Sequence, residues 1–248
     1  DGTANTVTPL NGALGGTTPS TVVATSVNTP NTFGFKNRII NGDMRIDQRN
    51  AGASKTITDT GAVTYTLDRW LAYGSAASKF SIQRNAGSIT PPEGFSNYLG
   101  VTSLAATTVG STVFYFISQY IEGFNSADLA FGTAGASAVT LSFRVYSSLT
   151  GTFGGALSNS ASDRSYPFSY SIPTANTWTT INVTIAGDTT GTWVGATNGS
   201  GLKLWISLGI GSTYSGTAGS WLSGSDYRSA TGSTSVVGTN GATFYITG

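Results

Sequence analysis

The chain contains no cysteine and no histidine. Without cysteine no disulfide braces the fold, no thiolate holds a metal, and the redox compartment leaves no mark on the sequence. With both absent, Ser-His and Cys-His nucleophile systems are excluded, and a metal hydrolase would lack its usual nitrogen ligands. Charge is scarce as well: Asp, Glu, Lys and Arg make up 9% of the 248 residues, where an ordinary soluble domain carries about a quarter. The 12 basic residues against 11 acidic ones leave a net charge of +1, so there is no basic field to draw nucleic acid or an anionic membrane. No uncharged run has the length and hydrophobicity of a membrane helix, and no signal peptide opens the chain. Starting at Asp1 rather than Met, the sequence reads as a fragment or a processed product.

Gly, Ser, Thr and Asn fill the space left by charge. They disfavour long helices, because Gly loses the most backbone entropy and the small polar residues compete for backbone hydrogen bonds. They suit short strands joined by tight turns. A buried core is nevertheless available: 39% of residues are hydrophobic, and 5 Trp, 11 Tyr and 12 Phe are too many for a disordered body.

Composition changes near residue 33. From Asp1 to Thr32 there is no aromatic residue and no charge but Asp1, only Thr, Asn, Gly and Pro with isolated Val7, Leu10, Leu14, Val22, Val23 and Val27. So sparse a segment orders only against something else, such as copies of itself or the main domain. The reading is an extended stalk and oligomerisation segment over residues 1–35, followed by one antiparallel β-sandwich of jelly-roll type over residues 36–248, in an all-β protein. A floppy linker is the other reading of the first segment.

Beyond Phe33, apolar alternation marks strands. Thr112–Ile121 sets Val113, Tyr115, Ile117, Gln119 and Ile121 on one face against Phe114, Phe116, Ser118 and Tyr120 on the other, which predicts a central strand. Val139–Val145 points Val139, Leu141, Phe143 and Val145 inward and Thr140, Ser142, Arg144 and Tyr146 outward. Leu202–Ile210 puts Leu202, Leu204, Ile206, Leu208 and Ile210 inward and Lys203, Trp205 and Ser207 outward. Further strands are expected over Trp178–Ile185 and Ala242–Ile246, with glycine-rich breaks at Gly132–Gly135, Gly151–Gly155 and Gly209–Gly219. The sole helical turn expected lies around Ser126–Ala130.

Several stretches read together. Asn37-Arg38-Ile39-Ile40-Asn41-Gly42-Asp43, then Gln48-Arg49, then Tyr65-Thr66-Leu67-Asp68-Arg69-Trp70 resemble the opening signature of a module common in bacteriophage tail-fibre and minor virion proteins. Gln119-Tyr120-Ile121-Glu122 and Val139-Thr140-Leu141-Ser142-Phe143 follow, then Trp178 with Ile181, Ile185, Gly187 and Asp188, then Trp221 and Phe244–Gly248, in the family's order. The segment Gly15-Gly16-Thr17-Thr18-Pro19-Ser20-Thr21 is similar to a motif repeated in trimeric fibre shafts. Family members usually continue into a V-Q-L-E-x-G strand, which this sequence lacks. The resemblance implies a jelly roll like that of carbohydrate-binding modules, carried on a virion surface as a tail or capsid fibre part. Its partners would be other virion proteins, further copies of itself in a homotrimer and host surface polysaccharide, with no cofactor, nucleic acid or membrane insertion.

Within that frame, Asn41, Gly42, Asp43, Gln48, Arg49, Asp68, Arg69 and Trp70 read first as structural: a turn, a capping carboxylate and a stacked guanidinium. Asp43 is a thin candidate for Ca²⁺, since hard cations want six to eight oxygens. Arg144, Tyr146, Lys203 and Trp205 all lie on the polar sides of their strands. If those strands are neighbours, they form an aromatic and charged platform suited to a sugar ring or to a subunit interface. Trp193, Tyr214, Trp221 and Tyr227 sit in Gly/Ser-rich loops as further receptor contacts, with Trp221 an alternative core plug; Trp70 and Trp178 are assigned to the core. No pair of acids stands out for glycoside hydrolysis, so an enzyme is not expected. The leading expectation is a glycan-binding adhesion module, and the alternative is a purely structural capsid or tail decoration protein.

Overall fold

The strand that alternation marks as central lies inside a sheet. In the computed structural model, which describes residues 36–248, Phe114–Glu122 runs through the middle of a sheet with a neighbour on either side. Fifteen strands form among the described residues: β1 (Lys55–Thr56), β2 (Thr64–Tyr65), β3 (Leu71–Gly74), β4 (Phe80–Arg84), β5 (Leu99–Ser103), β6 (Phe114–Glu122), β7 (Val139–Ser147), β8 (Gly151–Ser158), β9 (Arg164–Ile172), β10 (Thr179–Ile185), β11 (Ser200–Ile210), β12 (Ser215–Gly216), β13 (Leu222–Ser223), β14 (Ser229–Ala230) and β15 (Thr243–Thr247). Helix is limited to short 3₁₀ turns, one of them Ala127–Leu129 inside the expected Ser126–Ala130 turn. No helix among the described residues is long and apolar enough to cross a membrane. The expected stalk and the Gly15–Thr21 motif lie outside the described residues.

The strands build an antiparallel β-sandwich. Sheet A has the order β1-β4-β5-β15-β7-β10, sheet B the order β13-β9-β8-β11-β6-β3-β2, and the pair β12-β14 is a separate parallel ribbon. The chain passes repeatedly from one sheet to the other, so most sheet neighbours are far apart in sequence, as in a jelly roll. Between the sheets, Phe80, Ile82, Leu99, Val101, Phe143, Val145, Ile181, Phe244 and Ile246 from A meet Ala72, Tyr115, Ile117, Phe153, Leu157, Phe168, Leu204, Ile206 and Leu208 from B. Each large side chain so buried stabilises the fold by about 1.5–3 kcal/mol.

Two expectations need correcting, one about a break and one about the facing of a side chain. Gly151–Gly155 is the first half of β8, not a loop. A Cβ at Gly155 would stand 2.2 Å from the Trp205 carbonyl oxygen and 2.6 Å from the Phe168 ring, so glycine here lets neighbouring groups close onto the strand. Ile210, expected inward, packs on the outer side of sheet B instead, because the β11–β6 register shifts between Ser207 and Gly209 and reverses the alternation.

The signature residues tie the chain's entry to the sandwich. Buried Gln119 acts as a strand edge for Ile40, its Oε1 accepting the Ile40 N–H at 2.8 Å and its Nε2 donating to the Ile40 carbonyl at 2.9 Å. Asn41, at φ 56°, donates to the carbonyls of Ile46 and Asp68, and its own carbonyl accepts from Trp70 Nε1 at 3.0 Å. Gly42 accepts from the Gly248 N–H. Asp68 accepts from the Gln48 N–H at 2.7 Å. Arg69 reaches the Tyr120 carbonyl and pairs with Glu122 at 2.6 Å rather than stacking on an aromatic; Arg49 does the stacking, over Tyr65. The Glu122 carboxyl is held below its ordinary range: burial pushes it up, but its own backbone N–H and Arg69 outweigh that.

Candidate functional site

Strand parity decides which side chains leave the core. On β7, β10 and β15 the inward set is Phe143, Val145, Ile181, Ile185, Phe244 and Ile246, so Arg144, Tyr146, Thr180, Asn182 and Tyr245 stand on the outer face of sheet A. Tyr146 and Tyr245 are register partners, and their rings stack at 5.4 Å with 10° between planes. Tyr98 also stacks on Tyr245, at 5.1 Å, and Trp178 lies 5.5 Å from both Tyr98 and Tyr146. These four rings form one aromatic plateau whose base is fixed and whose rim, Tyr146 and Trp178, is partly open to solvent.

Hydrogen bonds lock the base. The Tyr98 hydroxyl donates to the Ala86 carbonyl at 2.6 Å and accepts the Ile89 N–H at 3.0 Å. Trp178 Nε1 donates to the Thr90 carbonyl at 2.9 Å. Burial raises the phenol pKa of both Tyr98 and Tyr245, so both stay neutral at physiological pH. The turn Ala86–Ser88 can close over the plateau only because residue 100 is glycine: a Cβ there would meet the Ala86 Cβ at 2.5 Å and the Tyr245 ring at 3.0 Å.

Beside the rings runs a polar row. Arg144 pairs in register with Thr180 on β10 and Thr247 on β15; Ser142 pairs with Asn182, its hydroxyl donating to Asn182 Oδ1 at 2.8 Å. Ser142, Thr180 and Asn182 are exposed. Arg144 makes no ion pair and no side-chain hydrogen bond among the described residues, whereas Arg38, Arg45, Arg69, Arg84, Arg164 and Arg228 are all engaged. Its planar fork of five N–H donors, next to an aromatic rim and a row of hydroxyl and amide groups, is available to a ligand.

The expected four-residue platform does not form. Arg144 and Tyr146 belong to sheet A, while Lys203 and Trp205 belong to β11 in sheet B, so the pairs stand on opposite outer faces of the sandwich. Trp205 is 3% exposed, with Nε1 donating to Ser158 Oγ at 2.8 Å and Phe116 against its ring at 4.7 Å. Residues 211–230 fold over it, and the Arg228 guanidinium lies above Phe114 at 4.1 Å, Trp205 at 5.1 Å and Tyr214 at 5.2 Å while pairing with Asp226. Lys203 donates to the Ser160 carbonyl at 2.6 Å and to Ser162 Oγ at 3.0 Å; burial lowers its pKa, with Asp226 opposing and Arg228 adding to the shift. Tyr227 is half-buried in the same covering segment, against Gly216. Trp193 lies at one end of the sandwich, 4.9 Å from Phe131 and 5.3 Å from Trp221, bonded through Nε1 to the Thr190 carbonyl. Trp221 packs there against the core as the plug reading expected.

The weak Ca²⁺ candidate Asp43 is bound to Arg45 at 2.6 Å, and no group of three or more acidic side chains gathers among the described residues. Asp128, Glu122, Asp188 and Asp226 are likewise paired with arginines. Trp178, assigned to the core from its sequence, belongs instead to the outer plateau. Its even position relative to Ile181 and Ile185 carried that signal, since it shares parity with exposed Thr180 and Asn182.

No protein-family model matches the chain, and no curated protein matches it. Among solved structures, the enzymatically active domain of tailspike protein 4 from bacteriophage CBA120 overlaps 72% of this chain with 9% identity and a TM-score of 0.41; the chain spans 18% of that chain's length. The N-terminal cellulose-binding domain of Cellulomonas fimi β-1,4-glucanase C overlaps 71% of this chain and 83% of its own, with 13% identity and a TM-score of 0.29. Overlaps this loose carry no argument of their own, and the fold rests on the register and core described above.

Proposed function

We propose that the chain is a non-enzymatic surface module of a bacteriophage virion fibre that binds a host-surface glycan on the outer face of sheet A. The observation that carries the glycan reading is the uncommitted Arg144 beside the partly exposed rings of Tyr146 and Trp178. A pyranose ring lays its C–H surface on an aromatic face while its hydroxyls take hydrogen bonds from planar polar groups. Trp178 and Tyr146 supply the faces here; Arg144, Asn182 and Thr180 supply the donors and acceptors. The virion setting rests on the ordered run of tail-fibre-like segments from Asn37 to Gly248. The non-enzymatic reading draws support from the carboxylates, of which Asp43, Glu122, Asp128, Asp188 and Asp226 are all engaged by arginines and so poorly placed to act as an acid–base pair.

The test is binding of the full chain to an array of bacterial capsular, lipopolysaccharide and teichoic glycans. The wild type is expected to bind at least one class, with Trp178→Ala and Tyr146→Ala each lowering affinity about 2–10-fold, in line with about 0.5–1.5 kcal/mol per lost aromatic contact. Binding that survives both substitutions would remove the site. A purely structural role is the second reading, and it is favoured by the long bare edge of β10.

A further inference from the structure

A β-sandwich has four sheet edges, each offering unpaired N–H and C=O groups to any passing strand, and proteins usually blunt them. Three edges of this sandwich are blunt: β1, β2 and β13 are each two residues long. The fourth is not. Strand β10 runs seven residues, Thr-Thr-Ile-Asn-Val-Thr-Ile, and pairs with β7 without a bulge. It carries no charge and no proline, and no described residue other than those of β7 hydrogen-bonds to its main chain. Among the described residues, β10 is the longest of the four terminal strands and carries no charge, proline, bulge or paired cover to discourage strand addition.

We infer that β10 pairs edge to edge, antiparallel, with β10 of a second copy of this chain. The strand's own pattern identifies that partner. Reversed about Asn182, Thr179 faces the partner's Ile185, Thr180 the partner's Thr184, Ile181 the partner's Val183, and Asn182 its own counterpart. The strand is thus a near-palindrome in residue type: apolar Ile181 meets apolar Val183 on the core side, and exposed Thr180 meets exposed Thr184. A two-fold interface requires that self-complementarity. The result joins two copies of sheet A into one continuous sheet with both cores aligned. The two Arg144 side chains then stand three strand spacings apart across the sheet and four residues apart along it, about 20 Å, on one face. Two glycan sites on one surface would gain avidity on a polymeric ligand without any new contact. The pairing itself does not depend on the glycan reading.

The natural absence of cysteine allows a direct test. Asn182→Cys in the full chain places two thiols opposite one another at the two-fold, within the Cα range a disulfide accepts. Under mild oxidation at micromolar concentration it is expected to form a linked pair at least tenfold faster than Thr152→Cys, whose residue is exposed on sheet B. Thr180→Lys with Thr184→Lys sets like charges opposite each other on an already exposed face. It is expected to shift association, read by light scattering, at least tenfold towards the unpaired form while leaving the circular dichroism spectrum intact. Cross-linking no faster than the control, or a mass that the lysine pair leaves unchanged, overturns the inference. Neither readout involves a sugar, so failure here is distinct from failure of the glycan site.

Discussion

Asp188 shows how one residue serves a loop and a pH limit together. Its side chain is 2% exposed and makes a two-pronged pair with Arg164, Oδ2 to Nε and Oδ1 to Nη2, both at 2.7 Å, while accepting from Thr190. Burial raises its pKa, but Arg164 and Thr190 win, so it titrates below the ordinary carboxylate value and Arg164 titrates higher. A carboxyl depressed by folding stabilises the fold above its unfolded pKa, and that contribution is lost as pH falls through the folded one. Glu122 behaves the same way. Thermal unfolding midpoints are therefore expected to fall steeply below about pH 4, and Asp188→Asn is expected to flatten that slope. At pH 7 the same substitution strands a largely buried guanidinium and is expected to cost about 3 kcal/mol in urea unfolding. Arg228 is a second residue-scale test. Its charge is desolvated among four rings, so Arg228→Ala is expected to cost about 2 kcal/mol and to speed amide exchange across residues 211–230.

At the scale of single elements, much was legible. Strands β6, β7, β10, β11 and β15 follow from alternation, because a strand with unlike surroundings on its two faces must segregate its side chains by parity. What alternation could not reveal was local departure from it. The bulge near Gly209 depends on β6 geometry, and glycine reads as a loop signal even where, as at Gly155, it marks a close approach inside a strand. Gly100 is the glycine on which the candidate site depends. Gly100→Ala is expected to push Ala86–Ser88 off the plateau, destabilising the fold by about 1–3 kcal/mol and weakening glycan binding together; amide exchange at 86–88 and array binding check both.

At the scale of the whole molecule, the sequence says which side chains point out of each strand but not which strands share a sheet. That pairing is set by contacts far apart in the chain: β7 sits between β15 and β10, and β11 between β8 and β6. The expected platform therefore split in two. Lys203 and Trp205 lie under the 211–230 cover, while Arg144 and Tyr146 gained Trp178, Tyr98 and Tyr245, which no spacing rule brings together. Ile40 and Arg69, within the first motif, find their partners Gln119 and Glu122 in a second motif of the same resemblance.

The most direct measurement is backbone amide chemical-shift mapping of the full chain during titration with a polysaccharide that it binds on the array. The outer face of sheet A is expected to respond, with the largest changes at residues 142–146, 178–182 and 245–247 and none at Tyr65, Tyr120 or Lys203. Shifts confined to sheet B, or spread evenly over both faces, would contradict the site.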